Sequence, residues 1–390
     1  MAQKWKKLDE SLSLKGETAK VISYADYFAN RPLFSSLQVK NTGAEAVEDL
    51  AVTLSNENGM LIAAQKTLPE IPYESAVEVD FGNVLSPLYF SSADDVRQET
   101  ITVTLSKDKH VIATTEFTVT TLPFDFWQGT DGDLQLLSAF VRPRLADCSK
   151  MQTEVIAQLK KWNADFEIGG YVNNDKNAVR RIVAALYASL RRLGVAKKDA
   201  DISRPVSAGA GVKILSDKTA SHLEMALFAA SCLESMGLHP VLVLGDKHIT
   251  CGVWLYDSCF LDTVSDDITR LTAYVSDGIN NVSCFDVEDL FSDKNAAYAT
   301  SEVHFKQKCD AGLFDRYVDV RRCRVSKIAP LPLRAKSIKG FEILSEEDSS
   351  AEALPTDLKT TQKLSLSQLI NERQQRLTVN FSSGKINRKH

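Results

Sequence analysis

Between positions 216 and 255 the chain concentrates side chains that could do covalent chemistry: Ser221, His222, Cys232, His248 and Cys251. Acyl transfer needs a hydroxyl or thiol to attack a carbonyl and an adjacent imidazole to take its proton. Each candidate nucleophile here has another occupation. Ser221 stands three residues before Glu224, the spacing of a capping box, so its hydroxyl is expected to accept a backbone N–H at a helix start. Cys232 would lie about 15 Å further along the axis of that helix. Cys251 follows His248 by three residues, and on a strand that separation turns the two side chains to opposite faces. His222, first in the helix, is pushed toward its neutral form by the helix dipole and offers no thiolate. The stretch thus supplies a base, His248, without a nucleophile. Two other readings stay open. One is an acyl-transfer enzyme or peptidase with a shifted nucleophile at Ser221, Cys232 or Cys251. The other is a metal shared by His222 and His248, for which two histidines are an incomplete ligand set. The expectation taken forward is a site with no metal and no cofactor.

The elements that must position these residues are readable from pattern. From His222 the chain runs as a capped, almost wholly apolar helix, and Gly237 suits the left-handed position after its end. Val241-Leu242-Val243-Leu244 reads as a strand, Gly245-Asp246-Lys247 as a turn, and His248 to Leu255 as the returning strand. The result is a buried helix followed by a hairpin.

Two motifs in this stretch carry a resemblance. His248 with Gly252-Val253-Trp254-Leu255 is similar to a Gly-His-Ala-Phe-x-Gly-Val-Trp-Leu strand, and Leu223-Glu224-Met225-Ala226 to a Leu-Asp-Leu-Ala helix start. Both belong to the transglutaminase-like domain found near the N-terminus of large bacterial superfamily 1 helicases. Further motifs resemble that family in order: Trp127-Gln128-Gly129, Phe140-Val141-Arg142-Pro143, Gly170-Tyr171 with Asp175, the helix through Ile182 to Leu193, Tyr317-Val318-Asp319-Val320-Arg321-Arg322, and Pro330-Leu331-Pro332. The resemblance spans about 20–333. It implies an α+β chain, an antiparallel β-sandwich followed by a papain- or transglutaminase-like α/β domain, in which a nucleophile at a helix N-terminus meets a histidine on the next strand. By that alignment His222 occupies the place of the cysteine, His248 that of the histidine, and Asn281 that of the acidic partner. The resemblance therefore implies degenerate triad positions and a fold kept without its reaction. The loop 196–210 also departs from the family's Tyr- and Pro-rich loop.

The rest of the chain divides around this stretch. Residues 12–122 read as short strands, at 34–39, 50–54, 60–63, 76–81, 100–105 and 111–119, separated by turn residues such as Asn41-Thr42-Gly43 and Lys107-Asp108-Lys109. Their spacing suggests an immunoglobulin-like sandwich. Phe124, Phe126 and Trp127 are expected to pack it onto a second domain, 123–333, in which 155–162 forms an amphipathic helix burying Trp162. Arg180, Arg181, Arg191 and Arg192 read as a solvated basic face, and Asp257, Asp262, Asp266 and Asp267 as a solvated loop and helix cap. Residues 334–390 read as an acidic linker at 345–352, a short helix from Ser365 and a basic tail.

Composition narrows the function. Across 390 residues, 46 basic and 51 acidic side chains leave a formal charge of −5, so no global field favours nucleic acid or an anionic membrane. Seven scattered cysteines with no Cys-x-x-Cys pair fit neither a disulfide framework nor a zinc site. No Gly-x-x-x-x-Gly-Lys-Ser/Thr phosphate loop occurs. No apolar run reaches the roughly 18 residues of a membrane span, and Met1 to Leu8 lacks a secretory signal's apolar region, so a cytoplasmic protein is expected. The functional expectation is a non-catalytic accessory or protein-interaction module. Its partner would be a helicase or nuclease subunit or domain, with nucleic acid reached only indirectly.

Overall fold

The computed structural model describes residues 5–8, 11–164, 170–171, 174–209, 214–294, 296–337 and 340–344. The acidic linker, the helix expected from Ser365 and the basic tail lie outside the described residues, as do Val172 and Asn173. Residues 1–344 make one compact unit of mixed α+β structure with several sheets.

Its first part contains β1 (Lys6–Lys7), β2 (Leu12–Thr18), β3 (Val21–Ile22), α1 (Tyr24–Phe28), β4 (Phe34–Asn41), β5 (Leu50–Ser55), β6 (Ala64–Thr67), β7 (Ala76–Glu78), α2 (Pro87–Ser92), β8 (Arg97–Lys107) and β9 (His110–Thr121). The strands form two sheets, ordered β1-β2-β4-β7 and β3-β9-β8-β5-β6, antiparallel except where β3 meets β9. Period-two alternation sends Leu37 and Val39 inward from one sheet and Ile101, Val103 and Leu105 from the other. The sheets touch where the Phe34 and Phe117 rings meet edge-on at 5.3 Å. At Gly16 an added Cβ would lie 2.7 Å from the Phe117 ring, so a side chain there would wedge the sheets apart. The strand expected at 60–63 is displaced. Met60 and Leu61 are buried plugs, Leu61 making only an isolated bridge to Leu85, and the pairing strand is the polar, largely exposed β6. Apolarity there marks burial under a loop, while an edge strand can be polar on both faces.

At the junction Phe124 and Trp127 are fully buried and Phe126 half-buried; Phe124 packs on Tyr24 with ring centroids 4.4 Å apart. β10 (Phe126–Trp127) pairs with a later strand, and a 3-10 helix at Leu134–Phe140 follows. Arg142, almost wholly buried, reaches back to Asp125 at 2.8 Å.

The second part adds α3 (Ala146–Lys161), α4 (Lys176–Arg192), β11 (Ala196–Lys197), β12 (Val206–Ser207), α5 (Ile214–Asp217), β13 (Thr219–Ala220), α6 (His222–Ser235), β14 (Pro240–Leu244), β15 (Ile249–Trp254), β16 (Val264–Ser265), α7 (Ile268–Val275), β17 (Val282–Phe285), α8 (Tyr298–Asp310), β18 (Arg316–Asp319) and α9 (Val320–Val325). Helix α3 is longer than expected and ends at Trp162, which is 46% exposed and not part of the buried face. The arginines of α4 are not a free basic face: Arg180 pairs with Glu302, Arg181 with Asp175 and Arg192 with Glu154, while Arg191 donates to the Ala296 carbonyl. Of the acidic loop residues, Asp267 caps α7 and Asp262 meets Arg270.

An antiparallel sheet ordered β16-β18-β14-β15-β17 carries α6 against β14 and β15, with α3 and α4 packed on α6. Helix α6 is buried on every side, which its nearly unbroken apolar sequence requires. Gly237 (φ 76°) ends it in the left-handed region. Gly252 is forced by the sheet, since a Cβ there would sit 2.3 Å from Cys284 Sγ. Two of the motif residues bond each other: Trp254 Nε1 donates to Asp319 Oδ2 at 2.9 Å. The same carboxylate accepts the Phe260 and Arg322 backbone N–H groups at 2.8 and 2.7 Å. This carboxylate locks the hairpin to β18 and α9.

Candidate functional site

The site forms at the N-terminus of α6. Ser221 Oγ accepts the Glu224 N–H at 3.2 Å and Glu224 Oε2 accepts the Ser221 N–H at 2.8 Å, so the capping box closes as its spacing requires. The preceding strand β13 runs parallel to β11 and brings two lysines to the helix start. Lys198 pairs with Glu224 at 2.8 Å, and Lys197 donates to Glu288 at 3.1 Å.

His222 is 6% exposed, and both its ring nitrogens are buried without a hydrogen-bond partner among the described residues. Burial pushes its pKa down to about 4, helped by repulsion from Lys197, His248 and Lys308 and opposed by Glu288. The imidazole is therefore neutral at pH 7.

His248 lies at the end of the hairpin turn, its carbonyl accepting the Gly245 N–H, its ring edge-on to Phe314. Its Nδ1 is 3.9 Å from Glu288 Oε1. Glu288 belongs to a 3-10 helix at Val287–Leu290 just after β17, and its carboxylate is held by Lys308 at 3.0 Å and Lys197 at 3.1 Å. Burial alone would raise its pKa, but the two ammonium groups outweigh that and bring it down to about 2. Lys308 also grips Asp286 at 2.6 Å, whose carboxyl burial pushes upward against that pairing.

The charge of His248 is felt at His222, and Asn281 is held elsewhere. The Asn281 carbonyl accepts the Leu255 N–H and its Oδ1 accepts from Lys176. That places it seven residues along the hairpin strand from His248, roughly 23 Å in extended chain. The acidic group beside His248 is Glu288. The β15–β17 register explains this, since Cys251 faces Phe285 and the same antiparallel count sets His248 opposite Glu288. Sequence reasoning missed Glu288, Lys197 and Lys308; the available signal was the acidic Asp286-Val287-Glu288-Asp289 run directly after an apolar strand.

The shifted-nucleophile candidates sit poorly for attack. Ser221 is 1% exposed and engaged as the cap. Cys232 packs in the core with its Sγ 3.9 Å from Cys148 Sγ, and burial pushes the Cys232 and Cys251 thiols well above their usual value. Among the described residues no group of three or more His, Cys, Asp and Glu is arranged to hold a metal ion. The arrangement can orient a base, but among the described residues Ser221, Cys232 and Cys251 offer it no free hydroxyl or thiolate.

Comparison with known protein families, with curated proteins and with solved structures finds no match. Among the described residues no helix is long and apolar enough to cross a membrane.

Proposed function

We propose that this chain is a non-catalytic protein-interaction module: a β-sandwich followed by a degenerate transglutaminase-like domain, serving a helicase or another nucleic-acid machine. The observation that carries the reading is His222. A side chain that supplies no attacking thiolate stands first in the buried helix, where a nucleophile would be activated, with both ring nitrogens unpartnered among the described residues. Around it the supporting parts remain, namely the cap, the hairpin histidine and a carboxylate beside it. Support for the helicase association is the ordered set of motifs from Trp127 to Pro332.

The second reading, acyl transfer with a shifted nucleophile, draws on the approach of His248 to Glu288, which resembles a base with its orienting acid. An electrophilic activity probe with intact-mass readout separates the two. Wild type is expected to show no labelling that depends on His248. Stoichiometric labelling that disappears in His248→Ala would overturn the proposal and locate the nucleophile. His222→Cys, by contrast, is expected to gain a labelled thiol. Mass spectrometry of proteins recovered with the native chain tests the association.

A further inference from the structure

At the end of β17 opposite Glu288, a cleft of about 330 Å³ opens between α7, α8 and the start of β17. Leu255, Val275 and Val303 give it apolar walls, and Arg180 and Lys306 stand on its lining with Asp277 and Glu302. Its volume sits at the lower end of the range of small-ligand sites, which admits a short aliphatic group with one polar head and excludes a nucleotide-sized cofactor.

Spare donor capacity on the lining favours an anionic head. Glu302 has both carboxylate oxygens engaged, Oε2 with Arg180 at 2.5 Å and Oε1 with Ser283 Oγ at 2.9 Å. Asp277 is 92% exposed and bound to Lys306 at 2.7 Å. Both carboxylates on the lining are thus already held by a cation, Glu302 by Arg180 and Asp277 by Lys306. The cations are better supplied, because a guanidinium carries five N–H donors and an ammonium three. Arg180 and Lys306 are 43% and 41% exposed. Exposed pairs such as Lys306 with Asp277 are weak and exchange readily for another carboxylate. Lys176, donating to the Ile279 carbonyl at 3.4 Å, adds a third cation beside the loop that forms the rim.

We propose that this cleft binds a carboxylate attached to a short branched aliphatic group, its tail against Leu255, Val275 and Val303 and its head on Arg180 and Lys306. Such a group is presented by a free short-chain acid or by the C-terminal residue of a polypeptide ending in an aliphatic side chain. Half-exposed Val303 and Ile279 flank the opening and extend the apolar surface beyond it.

Calorimetric titration of the full chain with isovalerate, N-acetyl-Ala-Val and the C-terminal amide of N-acetyl-Ala-Val tests this. At least one carboxylate is expected to bind saturably, with the amide weaker by about tenfold or more, the loss expected for one charge-assisted contact. Tighter binding of isovalerate would assign the site to free acids, and tighter binding of the acetylated dipeptide to chain termini; either supports the proposal. Binding is expected to be lost in Arg180→Gln and in Val303→Asp, the second being a rim substitution that leaves the Arg180–Glu302 pair in place. No saturable binding by either acid, equal binding of the amide, or undiminished binding by Val303→Asp would overturn the proposal.

Discussion

Keeping an imidazole in the interior, unpartnered among the described residues, makes His222 a stability element with a defined pH window. Its folded-state pKa of about 4 lies below the ordinary histidine value of 6.5, so the unfolded chain takes up the proton first as pH falls. The folded state is therefore fully favoured above about pH 6.5 and loses ground toward pH 4, by about 3 kcal/mol across the window. Glu288 acts in a separate window. Its carboxyl is depressed to about 2, so its contribution is present above its ordinary 4.5 and fades only below that. Urea unfolding at pH 7.5 and pH 5 is expected to show wild type losing about 2 kcal/mol more than His222→Leu over that interval. Equal losses in the two proteins would mean that His222 is protonated inside the fold. Other buried groups such as His239 titrate in both proteins and cancel in the difference.

Between elements, the tie most exposed to a single substitution is Arg324 on α9. Its guanidinium binds Glu234 through Nε–Oε1 at 2.8 Å and Nη2–Oε2 at 2.9 Å, and donates to the Ile328 and Val141 carbonyls. One side chain thus joins the end of α6, the end of α9 and the segment after the first 3-10 helix. Arg324→Ala is expected to cost about 3–5 kcal/mol, since it leaves a mostly buried carboxylate and two carbonyls without donors. Arg324→Lys should recover only part of this, because an ammonium cannot make the two-pronged contact; chemical denaturation of the three proteins checks both. The elements also show why parts of the site could be read in advance. Ser221 with Glu224 and the Gly237 stop are settled within four residues of chain, so their chemistry is visible in the sequence. The neighbour of His248 is settled by strand register across the 255–281 connection; the acidic run at 286–289 marks a candidate, but only the register says that Glu288 is the member opposite His248. Trp162 misled for a related reason: its spacing matched the buried face of α3, but the helix stops there and the ring turns outward. Gly252 and Trp254 were visible as motif residues, and only their contacts with Cys284 and Asp319 explain why those residue types are needed.

Across the whole molecule, one connected cluster of buried side chains includes Leu12 near one end and Leu331 near the other, passing through Phe124, Trp127 and Phe140. Calorimetry of the intact chain is accordingly expected to give one cooperative transition for 12–333, with matching van't Hoff and calorimetric enthalpies. Trp127→Ala should shift that transition as a unit by about 3–5 kcal/mol. Two separable transitions, one untouched by Trp127→Ala, would show that the first and second parts unfold independently. The sheet order has a further bearing on how the chain is made. β14 lies between β15, which follows it at once, and β18, which begins 72 residues after β14 ends (316 − 244). At about 5–20 residues per second of synthesis, β14 waits roughly 4–14 s for its second neighbour. During that interval Val241-Leu242-Val243-Leu244 is an unpaired apolar edge on a nascent chain, of the kind that recruits chaperones or adheres to a neighbouring copy. Ribosomes that stall before Arg316 would therefore release fragments prone to aggregate, whereas those that pass it yield a sheet whose central strand is already covered.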